Sequence, residues 1–176
     1  MKNSKTSKDV QPGLLKPTNL RWQPPPLNTY KINWEAAVDR TQSKIAVCII
    51  VKNWTGKVLA TSRLSRPLFL DPLLAEAFGA LEATCFGLKM GLDNEILEET
   101  LNKLLRTSQR RGEHWSGTSM VVEDIKIQLK QFVKWSANHV RRDVNKVAHV
   151  LARNALLIPH TVVHTGNVPS CIQDLI

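Results

Sequence analysis

The segment Ile45 to Val51 is an unbroken apolar run rich in β-branched side chains, and it constrains the fold more than any other stretch of the chain. Such a run reads as a strand buried on both faces. Before it, Ile32, Trp34, Ala36 and Val38 alternate with Asn33, Glu35, Ala37 and Asp39, the period-two pattern of a strand that carries both acids on one face. After it, Thr55-Gly56 marks a turn into Lys57-Val58-Leu59-Ala60-Thr61-Ser62, a third strand. Connections this short hold no helical crossover, so an antiparallel meander is expected.

Asp71-Pro72 opens a helix, because an Asp N-cap accepts from an orphan backbone N–H and a proline at N1 forfeits no helical hydrogen bond. Leu74, Ala77, Phe78, Leu81, Cys85 and Leu88 follow helical spacing as far as a Gly91 cap. Leu74, Phe78, Leu81 and Cys85 are expected to meet the sheet. Beside them runs a stripe of Glu76, Ala80, Ala83 and Gly87, small enough for a sheet or ligand to approach closely. Asn94 to Leu97 reads as a short strand, Glu98 to Thr107 as helix, Ser119 to Gln131 as helix and Phe132 to Val140 as strand. Asp143 is expected to cap a last helix with an apolar stripe of Val144, Val147, Ala148, Leu151, Ala152 and Ala155. The order is that of an α/β domain with a five-stranded mixed sheet.

Five of the nine prolines fall before residue 30, which sets residues 1–29 apart as an extended segment. The domain is expected over 30–158, with 159–176 as a C-terminal tail. Three widely spaced cysteines, Cys48, Cys85 and Cys171, suggest neither a disulfide framework nor a zinc site. With no apolar signal-peptide core and no run of about 18 apolar residues, the chain is expected to be intracellular and away from membranes. Lys and Arg outnumber Asp and Glu by 24 to 15, a formal charge of +9, which favours a polyanionic partner such as nucleic acid.

Two stretches carry a family resemblance. Arg21-Trp22-Gln23-Pro24-Pro25-Pro26, followed by Lys31-Ile32-Asn33-Trp34-Glu35-Ala36-Ala37, is similar to an R-W-x-P-P and K-x-N-x-D-G-A pair. His139 to Ala152 is similar to an H-V-x-R-x-x-N-x-V-A-H/D-x-L-A ending. Together with Ala75-Glu76-Ala77 and the turn at Asn53 to Val58, these resemble the ribonuclease H-like domains abundant in plant genomes, many of them related to retrotransposon reverse transcriptases.

The resemblance implies a ribonuclease H-like fold and Mg²⁺-dependent cleavage of RNA in RNA–DNA hybrids. In that chemistry two Mg²⁺ ions held by carboxylates clamp the attacking water and the leaving oxygen. The family's four acidic positions fall on Glu35, Glu76, Thr100 and His149, of which Glu76 alone keeps the usual identity. Glu35 and Glu76 are therefore the expected metal ligands, with His149 as a third catalytic position or a hydrogen-bonded partner of Asn145. Thr100 brings no anionic oxygen, so unless its neighbours Glu98 and Glu99 compensate, cleavage is expected to be weak or lost, leaving a nucleic-acid-binding relative or a transposon-derived remnant. Lys103, Arg106, Arg110, Arg111, Lys126, Lys130 and Lys134 are the basic residues expected to track phosphates, with a solvated face as the alternative.

Overall fold

The computed structural model describes residues 22–68, 71–99 and 117–176. The meander forms as its short connections dictate, with β1 (Tyr30–Asp39), β2 (Lys44–Lys52) and β3 (Val58–Arg66) paired antiparallel. At the second turn Asn53 Oδ1 accepts from Thr55 N and Lys57 N, while Gly56 takes a φ of +83° that favours glycine. β4 (Asn94–Glu99) lies parallel to β1, and β5 (Lys134–His139) lies parallel to β4.

The sheet has six strands among the described residues, not five, in the order β5-β4-β1-β2-β3-β6. The additional strand, β6 (Val162–Thr165), comes from the segment expected to be a tail, and pairs antiparallel with β3 from Ala60 to Arg63. A 3-10 turn at Ser170–Leu175 then buries Ile172 completely. Four residues are too few for a period-two signal to stand out; the open edge of β3, with its unpaired backbone groups, recruits them. Glu98 and Glu99 likewise belong to β4 and not to a helix. Parallel pairing to β1 on one side and β5 on the other outweighs the helical propensity of glutamate.

Helix α1 (Pro72–Lys89) begins as expected, with the Asp71 carboxylate accepting from Leu73 N and Leu74 N. Its sheet-facing side is not the large apolar one. Glu76, Ala80, Ala83 and Gly87 are buried together with Ala75, Ala77, Gly79 and Thr84, whereas Leu74, Phe78, Leu81 and Cys85 are only partly buried, Phe78 and Leu81 still packing against the core as expected. Close approach explains the choice: a Cβ at Gly79 would lie 2.9 Å from Trp34 Cδ1, and one at Gly87 2.7 Å from Ile32 Cδ1. Leu74 instead lies against Gly117, where α2 (Gly117–Leu129) starts. Val122, Ile125 and Leu129 of α2 complete this core with Ile32, Trp34, Val47, Ile49 and Val51.

Helix α3 (Lys146–Ala155) covers the opposite face, where Ala148, Leu151 and Ala152 pack on Cys48, Ile50 and Val58. It is tied down at both ends: Asn145 Nδ2 donates to Trp34 O at 2.9 Å, and Lys44 Nζ donates to Leu156 O at 2.6 Å. Asp143 does not cap it. Arg142–Asn145 form turns, and Asp143 is exposed, 3.6 Å from Arg141 Nη2. Asn145 holds the N-cap position but makes no side-chain cap bond, because its amide is turned inward to β1.

Candidate functional site

Strand alternation sends Ile32 and Trp34 towards α1 and sends Lys31, Asn33 and Glu35 towards the α3 side. On this second face the inward residues of β1 are polar and buried: Lys31 is 7% exposed, Asn33 4% and Glu35 1%. Buried polar and charged groups are costly unless compensated, and the compensation defines the site.

Nitrogen groups from the turn before α3 and from its first turn approach the Glu35 carboxylate. His149 Nδ1 stands 3.2 Å from Oε1, Arg142 Nη2 3.5 Å from the same oxygen, and Asn145 Nδ2 3.5 Å from Oε2. His149 and Asn145 thus converge on Glu35 with their side chains, in place of the mutual contact that four-residue spacing allowed. The four-residue step from Asn145 to His149 is the signal that sets these two on one face, whereas Arg142 lies in the turn before α3, where helical spacing gives no such signal.

Glu98 on β4 occupies the neighbouring position through the register Asn33↔Glu98. Its carboxylate is held by Lys31 Nζ at 2.6 Å and Asn33 Nδ2 at 3.0 Å. Lys31 and Lys52 also flank the Trp22 ring at 5.1 and 4.3 Å from its centroid, so the segment before residue 30 packs on the domain from Trp22 onward. Burial pulls the Lys52 ammonium below its usual range, with the Glu98 charge opposing that and Lys31 adding to it.

Glu76 is 7% exposed on the sheet-facing side of α1, in the layer opposite α3. Its charge reaches the fully buried Cys48, paired with Glu35 across β1 and β2. Burial pushes the Cys48 thiol well up; the Glu35 charge adds to this, and Glu76 adds less. The thiol is further held by Sγ–H donation to Ala148 O at 2.7 Å.

Among the described residues no three of His, Cys, Asp and Glu come together so as to hold a metal ion. Mg²⁺ takes hard oxygen ligands, whereas an imidazole, a guanidinium and a carboxamide nitrogen stand within 3.5 Å of the Glu35 carboxylate. The donor set around Glu35 and Glu98 does not fit a two-ion site. Thr100, Lys103, Arg106, Arg110 and Arg111 lie outside the described residues. Of the other expected phosphate-tracking residues, Lys126 pairs with Glu123 at 2.6 Å, and Lys130 and Lys134 are exposed. No described helix is long and apolar enough to cross a membrane.

Comparison with solved structures finds the same fold in ribonucleases H. RNase H1 of the halophilic archaeon Halobacterium salinarum superposes with a TM-score of 0.66 at 19% identity, covering 73% of this chain and 97% of that one. The N-terminal RNase H domain of a Mycobacterium tuberculosis protein gives 0.64 at 16% identity, over 73% and 93%. LC11-RNase H1, solved in complex with an RNA/DNA hybrid, gives 0.62 at 15% identity, over 72% and 96%. No curated protein matches in sequence. The family model described as reverse transcriptase-like matches residues 33–155, more than half of the chain, from the polar strand β1 to the last turn of α3, and the chain belongs to that family.

Proposed function

We propose that this protein is a ribonuclease H-like nucleic-acid-binding domain that engages RNA–DNA hybrids or RNA, and that its Mg²⁺-dependent cleavage is weak or lost. The observation that carries this reading is the state of Glu35. The carboxylate at the motif-matched position of β1 is present and buried, but an imidazole, a guanidinium and an amide nitrogen approach it within 3.5 Å where a hydrolytic site needs anionic oxygens. Glu76 and His149 are the other two residues assigned to the site, with Glu35 and Glu76 as the metal ligands of any residual activity. The basic excess supplies affinity for phosphates, with Lys126, Lys130 and Lys134 as described candidates and Lys103, Arg106, Arg110 and Arg111 as candidates by sequence. Retrotransposon-related plant ancestry and an intracellular location complete the proposal.

The test is a paired assay on the full chain, with hybrid binding measured against salt and hybrid cleavage measured in Mg²⁺ and in Mn²⁺. Binding that weakens steeply with salt, with little or no cleavage, is the expected result. Glu35→Asp and Thr100→Asp together should then raise cleavage by more than the two single changes combined, as residues acting as one unit do. Robust Mg²⁺-dependent cleavage by the unmodified chain, abolished by Glu76→Gln, would overturn the reading.

A further inference from the structure

Arg142 makes contacts of two kinds. Its Nη2 reaches Glu35 Oε1 at 3.5 Å, yet its side chain is 70% exposed while that of Glu35 is 2% exposed. The turn that places it is closed by Val144 N donating to Arg141 O at 2.9 Å and Asn145 N donating to Arg142 O at 3.0 Å. A guanidinium carries five N–H donors on a rigid plane and stays charged at any physiological pH. One edge of it faces the buried carboxylate, and the rest faces solvent.

We propose that Arg142 is the resident counter-cation of Glu35, that its outward N–H donors take a phosphodiester oxygen, and that this domain consequently binds nucleic acid without a divalent metal. The proposal rests on the nucleic-acid reading above and deepens it. In a metal-dependent site the ion neutralises the carboxylates and bridges them to the phosphate. Here a guanidinium has both contacts available, and a divalent ion would have to displace it, together with the His149 imidazole, to reach Glu35 Oε1. Arginine suits the task because its planar fork pairs with phosphate oxygens in a fixed geometry, which a lysine ammonium does not. The surroundings reinforce it: Arg141 and Lys146 are exposed on the same turn, against one exposed carboxylate, Asp143, that lies beside Arg141.

The experiment is fluorescence anisotropy with a labelled RNA–DNA hybrid and the full chain, titrated in EDTA and in Mg²⁺ at several salt concentrations. Equal affinity in the two buffers is expected. Arg142→Ala should weaken binding by on the order of tenfold and lower the log–log salt slope by about 0.9, the loss of one phosphate contact. Arg142→Lys should restore the slope and only part of the affinity, since charge returns without the fork. Lys57→Ala, an equal loss of charge at the β2–β3 turn, should leave affinity unchanged, and thermal melts check that each variant is folded. If Arg142→Ala does not fold, Arg142→Lys decides: full native affinity overturns the proposal. Binding that vanishes in EDTA, or a folded Arg142→Ala that binds like the native chain, also overturns it while leaving the nucleic-acid reading standing. No hybrid binding by the native chain in either buffer overturns both.

Discussion

Glu35 and Glu95 are glutamates on two adjacent inner strands of one sheet, 1% and 2% exposed, and they meet burial in opposite ways. Glu35 points to the α3 side, where Arg142, Asn145 and His149 bring nitrogen groups to its oxygens. Glu95 points to the α1 side, under Gly87 and beside Phe132, and neither of its oxygens has a hydrogen-bond partner among the described residues. Burial drives the Glu95 carboxyl up to about 8, with no charged neighbour contributing among the described residues. The contrast teaches that the face of the sheet, more than depth, decides what a buried carboxyl can do. On the polar face it can organise a site; on the apolar face it stays protonated and stores a sensitivity to pH.

The largest expected effect is on that sensitivity. Between about pH 4.5 and 8 native Glu95 holds a proton that the unfolded chain has lost, so stability falls as pH rises through this window. By pH 7 the loss is on the order of 3 kcal/mol. Glu95→Gln should remove it, so the advantage of the variant in urea unfolding should grow from pH 5 to pH 8; parallel pH profiles for the two proteins would break the comparison.

Gly87→Ala should come next. Its Cβ would sit 2.6 Å from Glu95 Oε2 and 2.7 Å from Ile32 Cδ1. Overpacking of this kind costs about 1–3 kcal/mol, more than the gain of up to about 1 kcal/mol in helix propensity. Denaturant midpoints should therefore fall, and a more stable Gly87→Ala protein would show that α1 stands further from the sheet than its contacts imply.

On the polar face, Asn145→Ala should cost about 1.5 kcal/mol, because it leaves the buried Trp34 carbonyl without its donor. Slowed exchange of backbone amides in α3 should be lost in the same variant. The smallest effect belongs to Asp143→Ala. As an exposed residue with no capping bond, it should shift stability by no more than about 0.5 kcal/mol, whereas Asp71→Ala removes a real cap and should cost about 1 kcal/mol. Equal losses from the two aspartates would restore Asp143 as a cap.

Much of the fold was legible because its signals are local. Ile45 to Val51 reads as a doubly buried strand and is one, Asp71-Pro72 opens α1, and Ala148, Leu151, Ala152 and Ala155 line the buried stripe of α3. The errors arose where a distant partner decided. Leu74 has the hydrophobicity to face a sheet but lies against Gly117, and the small stripe is what lets α1 come close to Trp34 and Ile32. Val162 to Thr165 became a strand because β3 offered an open edge. In the site, Glu35 and His149 were readable from their motifs and do meet, whereas the part played by Arg142 was not, since nothing in an Arg-Arg-Asp turn says which arginine reaches β1.

By itself the sequence determined the meander, the start of α1 and the placing of Asn33 and Glu35 on one side of β1, because period, caps and turns act within a few residues of the chain. Only the tertiary structure decided that Lys31 neutralises Glu98 and Arg142 faces Glu35, while Glu95 meets no charge among the described residues. Electrostatic partners are chosen by distance through space, and 107 residues of chain separate Glu35 from the guanidinium 3.5 Å away.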